Sequence, residues 1–189
     1  TRTRAPRAAQ AQAQQSPSAP APRTVTAALA IPPPSADSSP ARMARGGMDS
    51  QAAAVDWRDG IPVSRAFGDP YFSLDGGLAE ARHVFLAGNG LPGRLRPGFA
   101  ILELGFGTGL NLLATLAAFR GAGAPGPVTY ASFEAFPLAA EDRARALAAF
   151  PDLAEDAAKL TDLLARGPGP HDLGGLVLTV IEGDARATL

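Results

Sequence analysis

Apolar positions are unevenly spaced along the chain, and from residue 57 onward their spacing predicts a succession of elements. Residues 57–73 (WRDGIPVSRAFGDPYFS) mix aromatics with the turn formers Asp59-Gly60 and Gly68-Asp69-Pro70, which predicts short extended pieces in a loop-rich opening segment. Gly77 to Gly88 predicts a helix, with Leu78, Ala81, Val84 and Phe85 toward one face and Asn89-Gly90 as a left-handed stop. Residues 99–104 form a nearly continuous apolar run, the pattern of a strand buried on both faces, and Leu110 to Phe119 is a helix former with Gly121 beyond its end. A second strand follows at 128–133, closed by Glu134. Pro137 sits near the first turn of a helix reaching Phe150, with Glu141 and Asp142 towards its start. Another amphipathic helix covers 152–166, with Leu153, Ala157, Leu160 and Leu164 on one face, and Leu176 to Ile181 is a third strand ended by Glu182-Gly183-Asp184.

Strands alternating with helices imply right-handed crossovers, hence an α/β fold: a Rossmann-like, doubly wound parallel sheet with helices on both faces. Three central strands would leave one apolar edge open, so residues 49–189 are expected to be the N-terminal portion of a domain truncated at its C-terminus. The first 48 residues fit no such pattern. They hold six arginines against one acid, Asp37, and eight of the 18 prolines. Too little apolar surface is present there to offset ordering entropy, so residues 1–48 are expected to be a disordered or non-native N-terminal segment, with Met43 or Met48 as a candidate start. The formal net charge of -1 is therefore a cancellation of +5 in residues 1–48 and -6 in the remainder.

Composition narrows the chemistry. Without cysteine there is no disulfide, thiolate nucleophile or cysteine-ligated metal centre, and His83 and His171 are the only imidazoles, so no metal site is expected. No apolar run reaches the length of a membrane span, and the absence of cysteine fits a reducing, cytoplasmic compartment.

The segment Glu103 to Asn111 (ELGFGTGLN) joins the first predicted buried strand to its helix. Glycines there permit a tight turn and close approach of a ligand, and the helix N-terminus offers unpaired N–H groups, so a nucleotide-like ligand is implied. Two classes compete. An NAD(P)-dependent Rossmann oxidoreductase needs G-x-G-x-x-G, and Leu110 stands at the sixth position. Glu103 before the first glycine would repel a pyrophosphate but suits a cationic ligand such as S-adenosylmethionine. Glu134, at the second strand's end, can accept hydrogen bonds from ribose hydroxyls in either class, and Asp184, at the third strand's end, can accept from an adenine amino group. A third possibility is a catalytically inactive Rossmann-like interaction module.

The runs SRAFGDPYFS (64–73), GLAEARHVFLAGN (77–89), ELGFGTGLN (103–111), SFEAFPL (132–138) and GDA (183–185) together resemble the methyltransferase domain of the bacterial tRNA wobble-uridine modification enzymes. The resemblance covers about Trp57 to Leu189. It implies a class I methyltransferase fold, S-adenosylmethionine as cofactor, and methylation of 5-aminomethyl-2-thiouridine in the tRNA anticodon to the methylaminomethyl form. It implies FAD only where a fused oxidoreductase follows. On matching positions, Glu103, Gly105, Gly107, Thr108, Gly109 and Asn111 would line the methionine and ribose side. Glu134 would hold the ribose, and Asp184 and Ala185 would lie beside adenine. Phe67, Asp69 and Tyr71 would close over the cofactor near its transferable methyl. The family's acidic and aromatic segment D-x-x-x-L-D-x-F-x-P is absent from the sequence, so the catalytic residues are expected beyond Leu189, and weak or no turnover is expected of these residues alone. Arg58, Arg65, Arg82, Arg94 and Arg96 could form a local basic patch for RNA, although solvated arginines explain them equally well.

Overall fold

A computed structural model of the chain describes residues 52–73 and 76–188. The stretch 1–48, expected to be disordered or non-native, lies outside the described residues. The opening segment forms an antiparallel hairpin of β1 (Val55–Arg58) and β2 (Ile61–Ser64). Its turn is Asp59-Gly60, with φ of 50° and 83°. Positive φ at both positions matches the twist of the paired strands, and Asp-Gly tolerates it better than most pairs. The chain then enters α1 (Gly77–Glu80), widens into a π turn at Ala81–Leu86 and tightens to a 3-10 turn at Ala87–Asn89 before Gly90, at φ 67°. The wide turn shifts the helical phase: Ala81 and Leu86 are buried, while Val84, expected on the inner face, is 62% exposed.

The main sheet contains β3 (Ala100–Leu104), β4 (Val128–Glu134) and β6 (Leu176–Glu182), parallel and in that spatial order, with β5 (His171–Asp172) antiparallel on the outer side of β6. β5 was not expected from the sequence. Asp172 ends it by accepting hydrogen bonds from the Gly174 and Gly175 amides at 2.9 and 2.8 Å, which turns the chain into β6. Helix α2 (Leu110–Gly121) connects β3 to β4. Helices α3 (Ala140–Leu147) and α4 (Ala154–Leu164) connect β4 to β6, and α5 (Ala185–Thr188) follows β6.

Successive parallel strands are added in one direction, and right-handed crossovers then carry all the connecting helices to the same side of the sheet. Ile101, Tyr130 and Leu178 are register neighbours, and they share one core with Leu112, Leu113 and Leu116 of α2, Leu147 of α3 and Leu160 of α4. Each of those five leucines is essentially fully buried, a gain of about 2 kcal/mol apiece. The parallel α/β order is as expected, but helices on both faces are not found among the described residues. The opposite face presents Leu102 and Leu104 of β3, exposed by 39% and 68%. The expectation that β3 is buried on both faces is corrected accordingly: only Ile101 and Glu103 are enclosed.

Candidate cofactor site

Strand β3 runs out into Gly105, Gly107 and Gly109, with φ of 88°, 53° and 82°. A left-handed backbone at three alternate positions throws the chain into a tight coil at the carboxyl edge of the sheet, and only glycine takes it without strain. Gly109 is also confined sideways. A Cβ there would stand 3.0 Å from both the Phe106 ring and the Leu160 side chain, so the loop packs directly on its own aromatic residue and on α4. The loop is tied to β4 by the Gly105 amide donating to the Phe133 carbonyl at 2.8 Å.

Glu134 provides the second tie. One carboxylate oxygen accepts the Gly107 amide at 2.7 Å, and the other accepts the Phe136 amide at 2.8 Å. The same carboxylate faces a cleft of about 1060 Å³ bounded by the glycine loop, the opening segment and the helical stretch from Gly77 to Asn89. Phe67, Asp69, Tyr71, Gly105, Gly107, Thr108, Asn111 and Glu134 line this cleft. Tyr71 stacks under the loop, with its ring 3.3 Å from where a Gly107 Cβ would be. Partial burial, then the charges of Glu134 and Asp142, push the Tyr71 phenol above its ordinary value. Phe67 and Phe136 meet edge to face at 5.7 Å between centroids and remain 65% and 40% exposed at the mouth. Among the described lining residues, the charged ones are Asp69, Glu80 and Glu134, all acidic.

Four of the twelve candidate residues do not line the cleft. Gly109 caps α2 behind the loop. Glu103 points into the helix-covered core, only 5% exposed, and accepts hydrogen bonds from Ser132 Oγ at 2.8 Å and Asn111 Nδ2 at 3.0 Å. Burial raises its pKa, and those two donors work against that shift. Tyr130, fully buried beside it, has a phenol held well above its ordinary value by burial and then by the Glu103 charge. Glu103 therefore orients Asn111, which does reach the cleft. Asp184 and Ala185 lie at the start of α5, outside the cleft lining. There the Asp184 carboxylate takes the amide of Arg186 at 2.9 Å and its guanidinium, contacts that hold its pKa down at about 2.

Phe136 and Arg143 were not singled out from the sequence. Phe136 belongs to a quoted motif, but its exposure at the mouth depends on the turn that Glu134 caps. The arginines grouped as a basic patch are dispersed. Arg65 pairs with Asp56 at 2.7 Å, whereas Arg94 and Arg96 both sit over Phe99, at the amino end of β3 and away from the glycine loop.

No family model matches the chain. Curated relatives do. The tRNA 5-methylaminomethyl-2-thiouridine biosynthesis bifunctional protein MnmC of Thiobacillus denitrificans is 46% identical over 150 residues, covering 72% of this chain and 24% of that protein. Its counterpart in Pseudomonas aeruginosa is 50% identical over 153 residues, covering 72% and 23%, and that of Aeromonas hydrophila is 51% identical over 113 residues, covering 54% and 17%. The chain thus spans about a quarter of the length of the first of these relatives. Among solved structures, MNMC2 from Aquifex aeolicus aligns with a TM-score of 0.50 at 22% identity, over 75% of this chain and 46% of that one, a likeness of fold.

Proposed function

We propose that this chain, a relative of the MnmC proteins, is the cofactor-binding portion of a tRNA methyltransferase that uses S-adenosylmethionine and acts on 5-aminomethyl-2-thiouridine at the wobble position. One observation carries the reading: the cleft beside the glycine loop is lined by three carboxylates and, among the described residues, by no cation. A pyrophosphate in such surroundings meets repulsion at every charged side chain, which disfavours a nicotinamide dinucleotide. A sulfonium ligand meets attraction, and so does a primary amine approaching as a cation.

The donor and acceptor set fits that cofactor. Glu134 would accept from both ribose hydroxyls, the open backbone at Gly105 would receive the methionine portion, and Phe136 would offer a flat apolar surface to adenine. When bound, S-adenosylmethionine supplies a methyl group made electrophilic by its positive sulfur. The chain's own contribution would be orientation and shielding: Phe67 and Tyr71 line the cleft beside the glycine loop, where they would cover a bound methyl group, and Asp69 adds negative charge. An amine drawn in as a cation would have to lose a proton before it attacks; the nitrogen–carbon bond would then form as the methyl's carbon–sulfur bond breaks, leaving a neutral thioether, and a carboxylate would accept the proton given up by the nitrogen. The resemblance assigns that carboxylate to a segment that the 189 residues do not include. Partnership with the tRNA anticodon region, a fused or separate FAD-dependent oxidoreductase and a cytoplasmic location belong to the same proposal. Among the described residues no helix is long and apolar enough to cross a membrane.

The test is calorimetric titration with S-adenosylmethionine, S-adenosylhomocysteine and NADH. Saturable binding of the first two and none of the third is expected; binding of NADH alone overturns the reading. A transfer assay with methyl-labelled donor and tRNA carrying 5-aminomethyl-2-thiouridine is expected to give little or no labelled product from the chain as it stands.

A further inference from the structure

The hairpin of β1 and β2 is a sheet of its own and, among the described residues, pairs with no strand of the main sheet. A two-stranded hairpin is marginal alone in water, so its place depends on what it leans against. Ile61 and Val63 of β2 are buried, but apolar contact is non-directional and does not by itself fix an orientation. Strand β1 supplies the directional contact. Val55 and Trp57 are its half-buried positions, while Asp56 and Arg58 are exposed. Trp57 meets Arg145, in the last turn of α3, whose guanidinium carbon lies 3.8 Å from the ring centroid. At that distance the planar cation rests against the ring face. No carboxylate forms an ion pair with Arg145 among the described residues, so the indole is the partner that its charge finds. A second tie lies just ahead of the same helix, where the Ala53 amide donates to the Pro137 carbonyl at 3.1 Å.

Successive contacts carry this anchorage to the cleft. Trp57 is the register partner of Pro62 in β2. The Pro62 carbonyl accepts the Tyr71 amide at 3.0 Å, and Val63 bridges to Pro70. The turn between is closed by the Ser64 amide donating to the Asp69 carbonyl at 2.9 Å and the Gly68 amide donating to the Ser64 carbonyl at 2.8 Å. Phe67, Asp69 and Tyr71 are thus held from β2, and the Tyr71 ring reaches the glycine loop, 3.3 Å from where a Gly107 Cβ would stand. One wall of the cleft hangs on the hairpin, and the hairpin is tied to α3. Trp57 and Arg145 themselves stand outside the cleft lining.

We infer that the stack of Arg145 on Trp57 is a clasp that fixes the opening segment over the glycine loop, which makes Arg145 a positioning residue for the ligand in the cleft. The identity of that ligand rests on the proposed function; the path from Arg145 through Trp57, Pro62 and Tyr71 to Gly107 does not.

Arg145→Ala tests the clasp, with Arg145→Lys as the conservative comparison. Arg145 is an exposed helical position and alanine is the strongest helix former, so the variant is expected to fold. Trp57 is the single tryptophan of the chain, and its emission therefore reports the stack directly. In Arg145→Ala that emission is expected to move to longer wavelength and to become easier to quench with acrylamide; an unchanged spectrum and quenching overturn the inference. Hydrogen exchange at the Tyr71 amide is expected to accelerate about fivefold relative to a core amide such as Leu116, with the lysine variant recovering part of the protection. Equal acceleration at Tyr71 and Leu116 would mean general loss of stability and overturns it too. Calorimetric affinity for S-adenosylhomocysteine is expected to fall about threefold to fivefold in Arg145→Ala and less in Arg145→Lys. Unaltered affinity despite faster Tyr71 exchange would show that the clasp does not serve the cleft. Should the parent chain bind no S-adenosylhomocysteine, the proposed function falls, and the Trp57 and Tyr71 measurements still decide the clasp.

Discussion

Replacing Gly109 and Gly105 by alanine, one at a time, separates backbone strain from lateral crowding in the same loop. Both residues sit at nearly the same left-handed φ, 82° and 88°, and an L-residue held there costs about 1 kcal/mol. The sites differ in what a methyl group would meet. At Gly105 nothing lies within 4 Å, so strain is the whole cost. At Gly109 the new carbon would stand 3.0 Å from the Phe106 Cζ and 3.0 Å from the Leu160 Cδ2, tighter than ordinary van der Waals contact on two sides. The leucine methyl can rotate away, but Phe106 is 4% exposed and supported from below by Arg143, so overpacking adds about 1–2 kcal/mol. Gly105→Ala is therefore expected to lose about 1 kcal/mol and Gly109→Ala about 2–3 kcal/mol, read as midpoint shifts in urea unfolding at unchanged slope. Equal losses in the two variants, or a larger loss at Gly105, would refute the claim that the loop is packed onto Phe106 and α4.

Other expectations follow from single contacts. Glu134→Gln exchanges one of two acceptor oxygens for an NH2 group facing an amide donor, so S-adenosylhomocysteine affinity in calorimetry is expected to fall at least about tenfold; unaltered affinity would remove Glu134 from the site. Glu103 has its pKa raised by burial, so its contribution to stability is present below the ordinary glutamate value and is lost as pH rises through the folded value. Urea unfolding from pH 4 to 7 is expected to show this component in the parent chain and not in Glu103→Gln; identical pH profiles count against a buried ionisable group. Asp184 runs the other way, its pKa held at about 2 by Arg186, and in Arg186→Ala its carboxyl resonance in an NMR titration is expected to shift at a pH nearer the ordinary aspartate value. An unmoved midpoint would show that Arg186 is not the cause.

The elements that could be read from sequence are those whose signal is local. The strand–glycine–helix unit from Ala100 to Gly121 is marked by an apolar run, by glycines where the backbone turns left-handed, and by a helix former nearly apolar all round. Likewise the Asp59-Gly60 pair carries its own turn geometry, though only the structure shows its two flanking pieces paired as a hairpin. What stayed hidden depends on spatial order. Whether Leu102 and Leu104 are covered is decided by which side of β3 receives the next strand, and the step β3–β4–β6 in one direction puts α2, α3 and α4 on the other face. Periodicity within a strand cannot carry that information, because the same apolar run serves a covered or an uncovered face.

Glu103 shows the same division at the scale of one side chain. Its place before the first glycine made it a natural candidate for ligand contact, since strand ends at the carboxyl edge meet ligands in this architecture. Strand alternation turns its side chain away from the cleft. Leu104 and Leu102 point to one face, so Glu103 points to the other, beneath α2, where Ser132 from the register-paired position of β4 and Asn111 from the first turn of the helix close around it. In this structure the carboxylate does not line the cleft, and it reaches the site through the Asn111 amide, which does face it. The acidic character of the site therefore comes from Glu134, Asp69 and Glu80, contributed by three separate stretches of chain that only the fold brings together.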